Sequence, residues 1–266
     1  MSTLTRIIHP DPKTAAPRAG RCVRRTRTAL AAALFCLTLC TPPCATGAER
    51  GSAYWQKHGG GYVVYSAHTP LRSVALTFDD GPDPRYTLPI LQLLSRYRAR
   101  ATFFVIGTAV RAHPWLVREI HLAGHEIGNH TEHHRRQGPL DAAEILACDE
   151  DIAGLTGQAP TLLRPPGGNI NHHILRLARQ TRHKLIMWTW DVDAHDWAQP
   201  GAARIARTII GHIHPGDIVI FHDGGGRRAQ TVAALEMVLA RLANERYRLE
   251  TVSELLREEF QHKVRQ

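Results

Sequence analysis

From Val74 onward, short β-branched and apolar runs alternate with stretches whose apolar residues recur at helical spacing. That alternation restricts the chain to a parallel sheet with crossover helices. Strands are predicted to begin near Val74, Ala101, Glu126, Thr161, Leu185, Asp217 and Arg248. Helices are predicted over 88–97, 114–123, 141–156, 172–181, 202–213 and 231–244, with a last one from Val252, giving seven βα units. Gly124, Gly157 and Gly216 fall just past helical patterns, where left-handed C-caps belong, and Pro114 suits a first helical turn. Polar segments follow five of the seven strands. In a closed βα barrel those strand ends open onto one face; an open doubly wound sheet also gathers strand ends, so periodicity alone leaves closure undecided. At 266 residues the chain is long enough for one α/β domain of this size.

The formal charge of +9 points to nucleic acid until it is located. Residues 1–48 hold Lys13 and six arginines against Asp11 alone, and the remainder, with 26 basic and 23 acidic residues, has no dense basic run. A nucleic-acid partner is therefore not expected. The basic stretch precedes twelve residues, 29–40, that are apolar except for Thr38, and then a Pro- and Ala-containing region ending near Ala48. This is the layout of a secretory signal, and the run is short for a membrane span, which needs roughly 20 residues. An uncleaved N-terminal anchor or a disordered extension is the competing reading, with transient membrane contact at the N-terminus. The protein is expected to be exported, to a periplasm, cell envelope or medium. Four of the five cysteines lie in this leader; Cys148, alone in the remainder, cannot form an intradomain disulfide there and reads as a packing residue.

The strand ends carry the chemistry. Asp79 and Asp80 close the first predicted strand before a Gly81–Pro82 turn. Adjacent strand residues point to opposite faces, but a turn at the strand end can bring both carboxylates into one pocket, one to bind metal and one to act as a base. His130 and His134 are four apart, on one face if the segment is helical, with His133 as a rival to His134. In a chain with 17 histidines such a pair is weak alone. Joined to a carboxylate, it completes a three-ligand set with an open position, as catalytic zinc sites require. Arg164 precedes two prolines and two glycines; Asp196 and Trp197 could orient a base and wall a pocket; His222 and Asp223 end the apolar run IVIF.

Together TFDDGP, NHTEHH, RPPGGN, DVDAHDW and IVIFHD, in order from about Arg72 to Leu256, resemble the polysaccharide deacetylases of carbohydrate esterase family 4, whose domain is also called NodB-like. ATFFVIG at Ala101 and GHEIGNHTEHH at Gly124 fit the same pattern. The resemblance implies an α/β fold, a distorted (β/α)7 barrel, over residues 73–260, with 1–48 as leader, 49–72 as a lead-in and 261–266 as a C-terminal tail. It implies metal-dependent removal of acetyl from GlcNAc-type residues of a polysaccharide: peptidoglycan, chitin oligomers or an exopolysaccharide. Asp80, His130 and His134 resemble the ligands of a divalent ion, zinc first, with cobalt, nickel or manganese as alternatives. Asp79 resembles the general base, His222 the general acid, Arg164 the residue holding the base, and Asp196 the partner that tunes the histidine. Gly167 resembles the backbone donor to the oxyanion, and Trp197 and Ile220 the apolar wall around the acetyl methyl; Asp193 shares the motif with Asp196. The family often has an aromatic residue where Gly167 stands, which bears on substrate preference. An acetyl-xylan esterase and a catalytically silent glycan-binding protein are the other two readings of the same scaffold.

Overall fold

Ser73–Asp79, the run SVALTFD, is buried along its whole length. A strand that reads as a near-continuous apolar run is one covered on both faces, as parallel strands are. In the computed structural model, which describes residues 47–135 and 140–264, this strand is the second of eight. The leader lies outside the described residues. The strands are β1 (Val63–Val64), β2 (Ser73–Asp79), β3 (Thr102–Val105), β4 (Glu126–Asn129), β5 (Leu162–Leu163), β6 (Lys184–Ile186), β7 (Ile218–His222) and β8 (Arg248–Glu250). The helices are α1 (Gly47–His58), α2 (Thr87–Arg96), α3 (Gly107–Ala112), α4 (Pro114–Leu122), α5 (Ala142–Thr156), α6 (His172–Gln180), α7 (Ala202–His212), α8 (Ala229–Asn244) and α9 (Val252–Val264).

All strand pairs are parallel, in the order β1-β6-β5-β4-β3-β2-β7, with β8 also paired to β2. The sheet curls into a barrel that its hydrogen bonds do not fully close. At the seam the link is an antiparallel bridge between Ser66 and Asp217, with Ala67 N–H donating to Gly216 O (2.8 Å) and Thr189 N–H to Ile218 O (3.0 Å). The expected distorted barrel is the fold. The lead-in is more than a lead-in: β1 pairs with β6, so residues before Val74 belong to the sheet. The C-terminal tail likewise continues α9 to Val264.

Alternate residues of β2 serve two cores. Val74, Leu76 and Phe78 pack outward with Phe103, Phe221 and the buried faces of α2, α4 and α8. Ala75 turns inward with Phe104, Leu163, Ile218 and Ile220. Thr77 and Asp79, on that same inward face, carry the polar end of the interior toward the strand termini. Register places Asp79 opposite His222 of β7 and Asn129 opposite Leu163, so the C-terminal strand ends meet at one mouth. Cys148 is buried against Val105 O, and burial pushes its thiol well above the ordinary range, so it is a packing residue. Among the described residues no helix is long and apolar enough to cross a membrane.

Candidate active site

Asp79 is the last residue of β2, and Asp80 has φ 72°. That left-handed step, tolerated by Asp better than by most residues, turns the chain so that neighbouring carboxylates face one site rather than opposite sides of the sheet. Glycine surrounds the turn because nothing larger fits: a Cβ on Gly225 would come within 2.5 Å of Asp80 Oδ2. Behind it Asp223 is fully buried and accepts from Thr87 Oγ1 (2.5 Å). Burial, aided by the charges of Asp80 and Asp79, pushes its carboxyl up to about 7.

Asp80 Oδ1 lies 3.4 Å from His130 Nε2 and 3.2 Å from His134 Nε2, and these ligand atoms fall within 4.8 Å of one another. Asp80 Oδ1 is buried with no hydrogen-bond donor. Burial would raise the Asp80 pKa, but the nearby imidazoles, His130 first and then His222 and His134, hold it well below the carboxylate range. His130 Nδ1 donates to Arg164 O (2.7 Å), which leaves the Nε2 lone pair facing the site. An orphaned carboxylate oxygen with two imidazole nitrogens is a donor set that fits a divalent ion with borderline ligand preference.

The segment carrying these histidines is not helical. Thr131 has φ 69° and His134 φ 51°, and the loop is pinned from outside: Gly107 N–H donates to Thr131 O (3.1 Å), Thr108 N–H to Glu132 O (3.0 Å) and Glu132 N–H to Glu144 O (2.9 Å). Arg111 of α3 pairs with Glu132. The four-residue spacing therefore works through two left-handed residues rather than through a helical face. It also decides between the rivals, because His133 Nδ1 turns to Glu144 of α5 (2.9 Å) while His134 joins Asp80.

Arg164, wholly buried, spends its guanidinium on four acceptors: Nε on Ile186 O (3.0 Å), Nη1 on Thr77 Oγ1 (2.8 Å) and Asp79 Oδ1 (2.7 Å), and Nη2 on Met187 O (2.9 Å). It lies over the Phe104 ring at 4.1 Å. With Oδ1 so held, Asp79 Oδ2 is 3.8 Å from His130 Nε2.

His222 Nδ1 donates to Asp196 Oδ1 (2.6 Å), while Asp196 Oδ2 accepts from His222 N–H (2.9 Å) and Thr231 Oγ1 (2.7 Å). Burial alone would lower the His222 pKa; the hydrogen bond and charge of Asp196, with Asp79 and Asp80, outweigh it and raise it.

Asp79, His130, His134 and His222 open onto one cavity of about 260 Å³. Gly167, Ile220 and Trp197 line it, the last about half exposed at the rim. Gly167 (φ 65°) sits in a turn closed by Gly168 N–H to Pro165 O (3.0 Å) and Asn169 N–H to Pro166 O (3.4 Å), bonds that leave the Gly167 N–H unused. A hollow of about 640 Å³ beside α9 is larger but holds no such ligand set. Sequence reasoning missed part of the wall: Trp188, Trp190, Gly168 and His195. Trp188 Nε1 donates to Asp193 Oδ2 (3.0 Å), and Asp193 also holds His195 through its N–H (2.9 Å) and Nδ1 (2.8 Å). The available signal was WTWDVDAH, which runs straight into the Asp196–Trp197 pair.

Residues 66–186 match the family model described as "Polysaccharide deacetylase". A peptidoglycan-N-acetylglucosamine deacetylase of Bacillus cereus is 42% identical over 205 residues, covering 74% of this chain and 94% of that one. A chitooligosaccharide deacetylase of Bradyrhizobium sp. is 36% identical over 207 residues, covering 72% and 94%. The crystal structure of the peptidoglycan N-acetylglucosamine deacetylase Bc1960 superposes with a TM-score of 0.71 at 30% identity, covering 76% of this chain and 95% of that one. Curled parallel sheet, ordered motifs and relatives agree: the chain belongs to the polysaccharide deacetylases of carbohydrate esterase family 4, hydrolases of non-peptide carbon–nitrogen bonds.

Proposed function

We propose that this protein is an exported, zinc-dependent deacetylase that hydrolyses the N-acetyl group of GlcNAc-type residues in a polysaccharide of the peptidoglycan or chitin-oligomer class, releasing acetate. The observation that carries the reading is one cavity onto which the Arg164-held Asp79, the two histidines that group with Asp80 and the Asp196-paired His222 all open. Export rests on the basic-then-apolar N-terminal pattern, and the choice of zinc on the nitrogen-rich ligand set.

A divalent ion held by Asp80, His130 and His134 would acidify water and polarise the acetyl carbonyl. Asp79, fixed through Oδ1 by Arg164, takes the water proton on Oδ2. The Gly167 N–H donates to the carbonyl oxygen as it gains charge; one such donor is worth about 2.7 to 4 kcal/mol. His222, protonated and with Nδ1–H on Asp196, gives its Nε2 proton to the departing nitrogen, which is a poor leaving group without it. Water adds across the amide, and acetate and a glucosamine unit leave.

The test is acetate release from peptidoglycan, chitin oligomers, poly-N-acetylglucosamine and acetyl-xylan, with chelator and then restored zinc. Chelator-sensitive release from an N-acetylated polymer is expected. Release from acetyl-xylan alone would replace this reading with the esterase, and no release by the metal-loaded protein would replace it with a silent binder.

A further inference from the structure

Six helices lead into parallel strands through turns that need a left-handed residue, and these turns lie at the barrel end opposite the catalytic mouth. Three use glycine: Gly124 (φ 79°), Gly157 (φ 78°) and Gly216 (φ 92°). The other three use arginine: Arg98 (φ 52°) before β3, Arg182 (φ 60°) before β6 and Arg246 (φ 59°) before β8. The three arginine turns share one geometry with the turn at Gly124. The N–H of Arg98, Arg182 and Arg246 donates to Ser95, Arg179 and Ala243, and the next N–H reaches back to Leu94, Ala178 and Leu242, as His125 reaches Ile120 after Gly124. Glycine or asparagine is the low-strain choice in this motif, so local conformation does not account for arginine three times over.

All three side chains are exposed, and among the described residues none forms an ion pair. Exposed Lys184 and Arg257, at the same end, are also outside every ion pair. Of the carboxylates nearby, Glu245 is engaged by Arg72 and Arg241, Glu254 by Arg100, Glu250 and Glu258 together by Arg248, and Glu126 by Thr102 and Ser253, which leaves fewer negative charges than the cations left over. The end therefore carries uncompensated positive charge. Across it runs α9, flanked by Arg100 and Arg248 on one side and Arg182 and Lys184 on the other, with Phe260 68% and Val264 69% exposed.

We infer that this end of the barrel is a docking face for an anionic lipid bilayer. The unpaired cations meet the headgroups and Phe260 enters the interfacial layer. Exposed apolar side chains among the cations favour a bilayer over a soluble polyanion, which offers nothing for Phe260 to bury against. Docked in this way, the catalytic mouth faces away from the membrane.

The test is cosedimentation of the full-length chain with vesicles of phosphatidylcholine containing about one third phosphatidylglycerol. Binding is expected, weakening with salt and absent on phosphatidylcholine alone. Each cation near such a surface contributes roughly five-fold, so the R98N/R182N/R246N variant should bind on the order of 100-fold more weakly. Asparagine suits the left-handed turn, so the variant should unfold at the same or a higher temperature, and its acetate release from soluble chitin oligomers should be unchanged. The F260S variant should also lose binding. Equal partitioning of wild type and the triple variant would overturn the inference. So would binding of soluble polyphosphate as tight as binding of vesicles with F260S unaffected, which would assign the face to a polyanion.

Discussion

Asp79 and Asp80 are chemically identical and adjacent, yet the structure gives them different surroundings: a guanidinium for one, two imidazoles for the other. On the roles proposed here, Asp79→Asn should lower kcat by about 10² to 10⁴-fold while leaving zinc affinity close to wild type. Acetate release measured beside a zinc titration checks both, and a loss confined to metal binding would exchange the two assignments. Asp196 raises the pKa of His222, and on its proposed role the histidine must be protonated to serve the leaving amine, so the alkaline limb of kcat should lie above the ordinary imidazole value of 6.5. Asp196→Asn removes the charge that favours imidazolium, and the limb should move to lower pH. A pH–rate profile with an unmoved limb would take the acid role from His222. The types and order of these residues were legible in the sequence: Asp79, Asp80 and His222 stand at the ends of apolar strand runs, and Asp196, ten residues past β6 in a 3-10 turn, through its place in the ordered motifs. The choice between His133 and His134 was not, since it turns on the φ of Thr131 and His134 and on Glu144 eleven residues further along the chain.

At the scale of elements, the seven strands that follow the lead-in and the helices α2 and α4 to α9 were readable from periodicity, whereas the twelve-residue α1, where the lead-in was expected, was not. The β1 strand, two residues long, and α3, six residues long, were not: neither spans enough of a period to declare itself, and both exist because neighbours hold them. Each matters to the site. The first supports β6, and the second carries Arg111 and Gly107 against the histidine loop. Trp188, Trp190 and His195 of the wall over 187–197 were hidden for a different reason: short 3-10 turns place its aromatic residues with no fixed repeat. Gly168 is the hinge of that wall, with φ 67° and a would-be Cβ 2.6 Å from the Trp188 ring. Gly168→Ala should cost about 1 to 3 kcal/mol and displace Trp188. Urea unfolding gives the first and tryptophan fluorescence the second; unchanged stability with an unshifted spectrum would mean the turn relaxes freely.

For the whole molecule, metal binding and folding should be linked, because the three ligand atoms come from segments at Asp80 and 130–134 that only the assembled sheet brings together. Zinc at about 100 times its Kd should stabilise the native state by roughly 2.7 kcal/mol. Thermal melts of wild type with and without zinc should differ, and those of Asp80→Ala should coincide; a zinc-dependent rise that survives the substitution would place the ion elsewhere. The amino-acid sequence by itself determined the class of fold, the end of the sheet where chemistry gathers and the identity of the reactive groups. Apolar periodicity and strand-end polarity are local properties, written within a few residues. Tertiary structure alone decided which carboxylate faces which partner, which histidine enters the set, how far the barrel closes and that three arginines share the opposite end. Those outcomes depend on strand register, left-handed backbone steps and the burial of Arg164 among four acceptors, all of which join residues far apart in the chain.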